Sequence, residues 1–271
     1  MSERFHFDSG AAGYDRGFGS VSPKFIPTLL RAAKLAAGQG VLDVATGSGH
    51  AAQAACEIVG PSGRVVATDI SAPLLDQTRE RLAGLANVSF AIEDGTALSF
   101  PEGDFDVVLC SMGLMLFADP AQGLSEFIRV LRRGGWAAVS VGTTARRSFV
   151  ARVSAAIGRH VPSKAAAAAR FFSLGDAERL RALIQIAGFR AVDTITETRR
   201  FSFPSFDAYF EPIDAGWGNI GGEYVSLASN VRHAVREEVR RELERDEAPG
   251  GSIEIEVEIL FASGQKPDTD F

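Results

Sequence analysis

Carboxylates and glycines recur at places in the first hundred residues where they could bind a ligand. Asp43 lies four positions before Gly47 in the loop Gly47-Ser-Gly-His-Ala-Ala52, and Asp69 and Asp94 follow at later points. Glycine lets a ligand approach the backbone, and the N-terminus of a following helix offers N–H groups. Carboxylates accept hydrogen bonds from hydroxyl and amine groups. Together these residues predict a site for a polar, hydroxylated ligand.

Two ligand classes fit the glycine loop. Its G-x-G-x-x-A spacing is compatible with a dinucleotide such as NAD. Asp43, beneath the loop, would repel a pyrophosphate but could accept bonds from an ammonium group. S-adenosylmethionine carries an ammonium and a sulfonium and has no phosphate, so the charge favours this ligand. An NAD-dependent oxidoreductase stays the first alternative, and a non-catalytic cofactor-binding protein the second.

The two later aspartates add adenosine-like contacts. Asp69 lies twenty residues beyond Gly49, where a carboxylate at a strand end can bind ribose hydroxyls of either ligand. Asp94 could accept a bond from the adenine amine, for which an NAD site has no general need. Asp69 therefore predicts an adenosine group, and Asp94 again favours S-adenosylmethionine over NAD.

Alternating strands and helices position these residues. We predict helices at 22–37 (capped by Ser22), 50–58, about 72–84 and 121–132 (ending in Arg132-Arg133), and strands at 40–45, 64–69, 88–93, 105–110 and 136–141. Nearly wholly apolar strands indicate a parallel sheet covered on both faces, whose ligands bind beyond the carboxyl ends of the strands. The three aspartates should therefore meet at one rim.

The last third of the chain has a different pattern. A helix at about 176–187 precedes a strand near 190–200, and residues 252–261 alternate apolar residues with Glu254, Glu256 and Glu258. Alternation is typical of a half-exposed strand, so we pair these two strands as an antiparallel edge with the glutamates toward water. A helix at 224–245 is expected between them.

The predicted fold is α/β: a doubly wound, seven-stranded, mostly parallel sheet with an antiparallel edge hairpin and a helical lid insertion. We expect one domain over 1–271. It divides into a cofactor-binding core (1–144), lid insertions covering the substrate (145–175 and 201–250), and the C-terminal part of the core sheet (176–200 and 251–265).

Ordered motifs at the strand ends resemble those of class I S-adenosylmethionine-dependent methyltransferases, which have a Rossmann-like fold. The likeness is closest to the group typified by ubiquinone and menaquinone biosynthesis enzymes. The matching segments are Ala12–Asp15, Asp43–Gly49, Thr68–Ser71, Glu93–Leu98, Phe105–Cys110 and Leu131–Trp136. The resemblance covers residues 5–142 well and is loose from 145 to 250.

The resemblance implies a set of cofactor-binding residues: Tyr14, Asp43, Ala45, Thr46, Gly47, Gly49, Asp69, Ile70, Leu74, Asp94, Gly95, Thr96, Ser111 and Met112. The loop residues would approach the methionyl part and Asp43 would support its ammonium, while Tyr14 closes over its carboxylate. Asp69 would bind the ribose hydroxyls, and Ile70 and Leu74 would pack against the adenine. Asp94 would accept the adenine amine with Gly95 and Thr96 alongside, and the backbone at Ser111 and Met112 would lie near the cofactor. Ala45 departs from the glycine common in such loops, and we expect it to be tolerated if its backbone is β-like.

A small, apolar or aromatic methyl acceptor is expected, with oxygen, nitrogen and carbon atoms all open. Methyl transfer from a sulfonium is an in-line displacement in which the protein mainly supplies alignment. Relatives often place histidine in the segment that matches Leu114–Phe117, which is apolar here. Candidate pocket walls are Met112, Met115, Phe117, Phe171, Phe172, Tyr209 and Trp217, although residues 201–210 could equally be core. His6 and His160 should border the pocket, but no catalytic base is assigned.

Composition limits the other partners. The net charge of −6 argues against nucleic acid, whose backbone needs clustered Lys and Arg. The two cysteines lack metal-ligand spacing, and no metal is expected. The first residues lack a signal-peptide pattern and no apolar run reaches ~18 residues, so we expect a cytoplasmic protein without a membrane span. The sequence does not predict the oligomeric state.

Overall fold

A computed structural model describes residues 21–244 and 252–268 of the chain. Its seven strands form one sheet in the order β3-β2-β1-β4-β5-β7-β6. The strands are β1 (Gly40–Val44), β2 (Arg64–Asp69), β3 (Val88–Ile92), β4 (Phe105–Ser111), β5 (Leu131–Gly142), β6 (Arg190–Phe203) and β7 (Ile253–Gln265). The predicted α/β fold with a mostly parallel seven-stranded sheet is confirmed.

Ten α-helices connect or flank these strands within the described residues. They are α1 (Ile26–Ala32), α2 (His50–Val59), α3 (Ala72–Arg81), α4 (Pro120–Val130), α5 (Ala151–His160), α6 (Ala165–Arg170), α7 (Ala177–Ile186), α8 (Phe206–Asp214), α9 (Gly218–Val225) and α10 (Ser229–Glu244). β1 is buried along its whole length between its parallel neighbours β2 and β4. Burial on both faces explains why its apolar residues do not alternate with polar ones.

The antiparallel edge is confirmed. Along the β6–β7 pair, Thr198 bonds Glu258 and Arg200 bonds Glu256. Residue numbers therefore rise along β6 as those of the partners in β7 fall, which is the arrangement of antiparallel strands. Ile253, Ile255 and Val257 of β7 are buried, whereas Glu254 and Glu256 face solvent as predicted. The prediction is wrong for Glu258, whose side chain is only 14% exposed, because Thr143, Arg147 and Thr198 bind its carboxylate.

The helix predicted at 22–37 is wrong in both its start and its end. Ser22 begins a short 3-10 helix rather than capping an α-helix, and α1 starts at Ile26. Pro27 has no N–H to donate and its ring excludes a preceding turn, so the helix must begin next to it. The chain leaves the helical conformation at Lys34, which has a φ of 54°.

The helix predicted to end in Arg132-Arg133 ends earlier, at Val130. Leu131 adopts an extended backbone, is fully buried and pairs with Phe105 of β4. Arg132 and Arg133 therefore open β5, where Arg132 forms an ion pair with Asp106. Burial of one leucine in the sheet outweighs the tendency of basic residues to end a helix.

The single helix predicted at 224–245 is two helices, α9 and α10, separated by residues 226–228. The Ser226 hydroxyl donates to the carbonyl oxygen of Glu223 at 2.7 Å, and the Leu227 N–H donates to the carbonyl oxygen of Tyr224. A serine that bonds a carbonyl one turn back competes with the helical hydrogen bonds, so the helix breaks there.

Two compact units make up the fold. The sheet unit contains Ser22–Val141, Leu174–Glu197 and 259–268, and the helical unit contains Gly142–Ser173 and the described part of Thr198–Glu258. In the helical unit, α5 packs against α6 and α10, and α8 packs against α9. None of the helices in the described ranges is long and apolar enough to cross a membrane.

Candidate functional site

The glycine loop lies between β1 and α2, where its backbone conformation requires glycine. Gly47 and Gly49 have φ angles of 61° and 87°, which lie in the left-handed region. A Cβ on Gly49 would lie 2.7 Å from the Cγ2 of Thr78, and the Thr78 hydroxyl donates to the carbonyl oxygen of Gly47 at 2.7 Å. Helix α3, which carries Thr78, therefore packs directly on the loop and holds its shape.

Asp69, at the end of β2, organises the backbone on both sides of it. One carboxylate oxygen accepts the N–H of Gly47 at 2.9 Å, and the other accepts the N–H of Ser71 at 2.9 Å. Only 5% of Asp69 is exposed. Each carboxylate oxygen can accept more than one hydrogen bond, so this side chain can hold the loop and also bind a ligand hydroxyl.

Asp43 lies beneath the loop and is fully buried. Its Oδ2 accepts the Thr46 hydroxyl at 2.6 Å, whereas its Oδ1 accepts no hydrogen bond from any residue that the structure describes. The pKa of this carboxyl is raised to about 7, chiefly by burial and also by the nearby charge of Asp69, against the hydrogen bond from Thr46. A cationic ligand above the loop would stabilise the ionised form, and an anionic one would oppose it.

The predicted adenine end is formed by the residues after β2 and β3. Ile70, directly after β2, is 44% exposed, whereas Leu74 in α3 is buried. Asp94 is exposed, and its Oδ1 accepts both the N–H and the hydroxyl of Thr96, at 2.9 and 2.7 Å. Gly95 is buried, and a Cβ there would lie 2.3 Å from the Cζ of Phe117. An exposed apolar side chain and an exposed carboxylate thus follow the ends of the paired strands β2 and β3, which are the two features that a purine with an amino group would use.

The end of β4 contributes backbone rather than side-chain chemistry. The Met112 N–H donates to the carbonyl oxygen of Ser140 at 3.0 Å and to its hydroxyl at 3.1 Å. Met112 has a φ of 56°, so the chain turns sharply after Ser111. A left-handed conformation at a residue other than glycine costs roughly 1–3 kcal/mol, and the two hydrogen bonds from the Met112 N–H to Ser140 help to hold it.

Ala45 contradicts the expectation of a β-like backbone, because its φ is 56°. In this left-handed conformation an alanine costs roughly 1–2 kcal/mol relative to glycine. The methyl group also leaves no room at the neighbouring turn, since a Cβ on Gly113 would lie 2.7 Å from the Ala45 Cβ. The alanine is therefore accommodated at a cost and with help from Gly113.

Thirteen of the fourteen predicted cofactor residues lie in the sheet unit, at or just after the ends of β1 to β4. The remaining one, Tyr14, lies outside the described residues, so its role stays a prediction, as does the pocket position of His6. Two residues that shape the site, Thr78 at the glycine loop and Ser140 at the end of β4, escaped prediction. Thr78 shares a helix face with Leu74 and Leu75, which is the signal that could have identified it, whereas Ser140 had none.

Several predicted acceptor-pocket residues have other roles. Tyr209 is fully buried among Phe149, Phe203 and other rings of the helical unit, and its hydroxyl donates to the carbonyl oxygen of Phe149 at 2.7 Å. Met115 is 1% exposed, which makes it core as well. The ring nitrogen of His160 lies 2.6 Å from a Glu238 carboxylate oxygen, in a surface cluster of the helical unit. The core interpretation of residues 201–210 therefore holds for Tyr209.

Comparisons with known proteins agree with this geometry. Residues 41–135 match the family described as a methyltransferase domain. Demethylmenaquinone methyltransferase of Bacteroides fragilis is 40% identical over 112 residues, which are 40% of this chain and 45% of that protein. Nocamycin O-methyltransferase of Saccharothrix syringae is 31% identical over 245 residues, which are 84% of this chain and 85% of that protein.

The chain thus spans less than half the length of the demethylmenaquinone enzyme but most of the nocamycin enzyme. Among solved structures, the YcgJ protein of Bacillus subtilis has the same fold, with a TM-score of 0.62 at 17% identity, covering 91% of this chain and 99% of that one.

Proposed function

This chain belongs to the class I S-adenosylmethionine-dependent methyltransferases, and we propose that it methylates a small apolar or aromatic acceptor. S-adenosylmethionine is the cofactor. When bound, it supplies a methyl group on a sulfonium, which is already activated for in-line displacement. The observation that carries the proposal is the rim of carboxylates and left-handed backbone around the glycine loop.

The proposed cofactor contacts follow the strand ends. The loop backbone at Gly47 and Gly49 receives the methionyl part, and Asp43 supports the ammonium through its charge beneath the loop. Asp69 takes the ribose hydroxyls while its carboxylate also accepts the backbone N–H groups of Gly47 and Ser71. Ile70 packs on the adenine ring, and Asp94 accepts the adenine amine.

Alignment rather than acid–base chemistry is proposed as the main contribution of the end of β4. The segment Ser111–Phe117 contains no carboxylate, imidazole or amine. A base is needed only when the acceptor must lose its proton early, so this segment suits an acceptor that is readily deprotonated. Met112 remains a candidate wall for an apolar acceptor, and it is half exposed.

The two relatives support different statements about the methyl acceptor. The protein named for demethylmenaquinone matches a stretch about the size of the cofactor-binding half, so it supports the cofactor more than a quinone-like acceptor. The protein named as an O-methyltransferase matches most of the chain. We therefore propose oxygen as the first acceptor atom to test, with hydroxylated aromatic and quinone-like molecules as the first panel.

Calorimetric titration tests the cofactor assignment. We expect the protein to bind S-adenosylhomocysteine and not NADH, and Asp69→Ala to weaken that binding by roughly tenfold or more, because a hydrogen bond to a charged group is lost. The matched control is Asp76→Ala, which removes an exposed aspartate from α3. Binding of NADH with no response to S-adenosylhomocysteine would favour the oxidoreductase.

Turnover tests the activity separately. Release of S-adenosylhomocysteine in the presence of an acceptor from the panel supports a methyltransferase, and mass spectrometry of the product identifies the methylated atom. Cofactor binding without release across the whole panel would favour the non-catalytic alternative.

A further inference from the structure

The helical unit contains a polar cavity that the cofactor site does not use. It has a volume of about 520 Å³ and lies beside the segment after β5, helix α5 and the paired ends of β6 and β7. Its lining residues are Arg146, Arg147, Arg152, Arg200, Glu254 and Glu256. A cavity lined by guanidinium and carboxylate groups favours a charged or hydrogen-bonding ligand over an apolar one.

Arg152 is the unusual member of this cavity. Only 8% of it is exposed, and its Nη2 donates to the backbone carbonyl oxygen of Arg146 at 2.7 Å. Its Nε has no acceptor, and the side chain forms no ion pair with any described residue. A buried cation without a counter-ion costs several kcal/mol, which an anion entering the cavity would offset.

The charges around the cavity set the charge of that anion. The Nε of Arg200 lies 3.6 Å from the Oε2 of Glu254, and its Nη2 lies 3.3 Å from the Oε1 of Glu256. Arg147 forms an ion pair with Glu258 next to the cavity. Among the described side chains at the cavity, four guanidinium groups and three carboxylates give a formal net charge of +1. A single negative charge neutralises this set, whereas the second charge of a phosphate would face the glutamates.

We infer that this cavity binds the carboxylate group of a small organic acid. A guanidinium presents two parallel N–H donors that match the two oxygens of a carboxylate. This inference goes beyond the proposed methyl transfer, because it concerns a second cavity and needs no cofactor. The cavity lies wholly within the helical unit, so its ligand can be tested without reference to the glycine loop.

The test uses benzoate as the carboxylate probe and benzamide as its neutral isostere, with the full chain free of cofactor. Calorimetry and the ¹⁵N resonances of the arginine side chains follow the titration, and Arg152→Lys identifies the Nε signal of Arg152. We expect benzoate to bind and to shift that signal. The affinity for benzamide should be lower by roughly tenfold or more.

Three variants locate the site. Arg152→Gln and Arg200→Gln should each weaken benzoate binding by roughly tenfold. The matched control is Arg159→Gln, which removes an arginine of the same helix α5 that pairs with Glu238 and Glu242 instead. If Arg152→Gln fails to fold, Arg200→Gln decides, because that side chain is 65% exposed and its loss cannot unfold a core.

Three outcomes would overturn the inference. The first is that all variants bind benzoate as tightly as the wild type does. The second is that benzamide binds as tightly as benzoate, and the third is that inorganic phosphate binds more tightly than benzoate. A shift of the Arg152 signal that is lost in Arg200→Gln and retained in Arg159→Gln would support it. None of these results depends on S-adenosylmethionine, so failure here leaves the methyltransferase proposal unaffected.

Discussion

At the scale of single residues, the charge state of Asp43 links the site to pH. In the folded protein the pKa of this carboxyl rises from 3.8 to about 7, chiefly because burial removes its hydration. The folded state then holds a proton that the unfolded state has released. Its contribution to stability is complete below about pH 4 and is lost as the pH rises towards 7, which is the reverse of an ion-paired aspartate.

Asp43→Asn should remove this pH dependence. Between pH 5 and pH 8 the cofactor-free wild type should lose roughly 2–3 kcal/mol of unfolding free energy relative to Asp43→Asn. Urea unfolding at several pH values measures the difference, and Asp94→Asn, at an exposed carboxylate, is the control. Parallel pH profiles for wild type and Asp43→Asn would mean that Asp43 is ionised throughout.

Ala45 gives a second prediction at this scale. Ala45→Gly should raise the free energy of unfolding by about 0.5–1 kcal/mol, because release of left-handed strain exceeds the added entropy of the unfolded chain. Urea unfolding measures the gain. The control is Ala67→Gly, a buried strand position that should be destabilised instead. A loss of stability in Ala45→Gly would mean that the methyl group contributes packing that outweighs its strain.

At the scale of elements, the glycine loop and α3 depend on each other through one contact. Gly49→Ala introduces left-handed strain and a Cβ only 2.7 Å from the Cγ2 of Thr78. The expected loss is roughly 2–4 kcal/mol, the sum of strain and overpacking. Thr78→Ser removes that methyl and keeps the hydroxyl bond to Gly47, so in its background the same change should cost less.

A double-mutant cycle in urea measures this coupling. Gly84→Ala is the control for strain alone, because Gly84 has a φ of 92° and nothing lies within 4 Å of its missing Cβ. The three measurements separate backbone strain from crowding. Equal losses from Gly49→Ala in both backgrounds would show that Thr78 moves aside and that the loop does not rely on α3.

The same elements show what a sequence can and cannot predict. β1 to β4 were predictable to within a residue at either end, because each is a short, mainly apolar run bounded by polar or turn-forming residues. The ends of helices were less predictable, since Leu131 extends into β5 to be buried and Pro27 sets the start of α1. Tyr209 was ambiguous because an aromatic residue at helical spacing suits a core and a pocket wall equally.

The site was predictable for a related reason. Its residues follow strand ends in chain order, so Asp43, Asp69 and Asp94 could be assigned to one rim without a structure. Conformation was not predictable, because the φ of Ala45 depends on the turn it closes rather than on its own type. Contacts between segments that are far apart in the chain, such as that of Thr78 with the glycine loop, also cannot be predicted from the local sequence pattern.

At the scale of the whole molecule, the lid stays a prediction from the sequence. Residues 145–175 and 201–250 were assigned to it because long insertions with glycine and proline often cover a substrate. The structure gathers Gly142–Ser173 and the described part of Thr198–Glu258 into one compact unit. Compactness does not say whether this unit covers anything, so the question needs a measurement in solution.

Hydrogen exchange with and without S-adenosylhomocysteine gives that measurement. Ligand at a hundred times its dissociation constant should slow exchange up to about 100-fold wherever opening requires release of the ligand. We expect this at the loop after β1 and at the ends of β2 to β4 in any case. If residues 145–175 and 201–250 form a lid, their amides should be protected as well, whereas exchange there that stays unchanged contradicts it. Asp69→Ala at the same ligand concentration is the control, because protection that depends on bound cofactor must fall throughout both regions together.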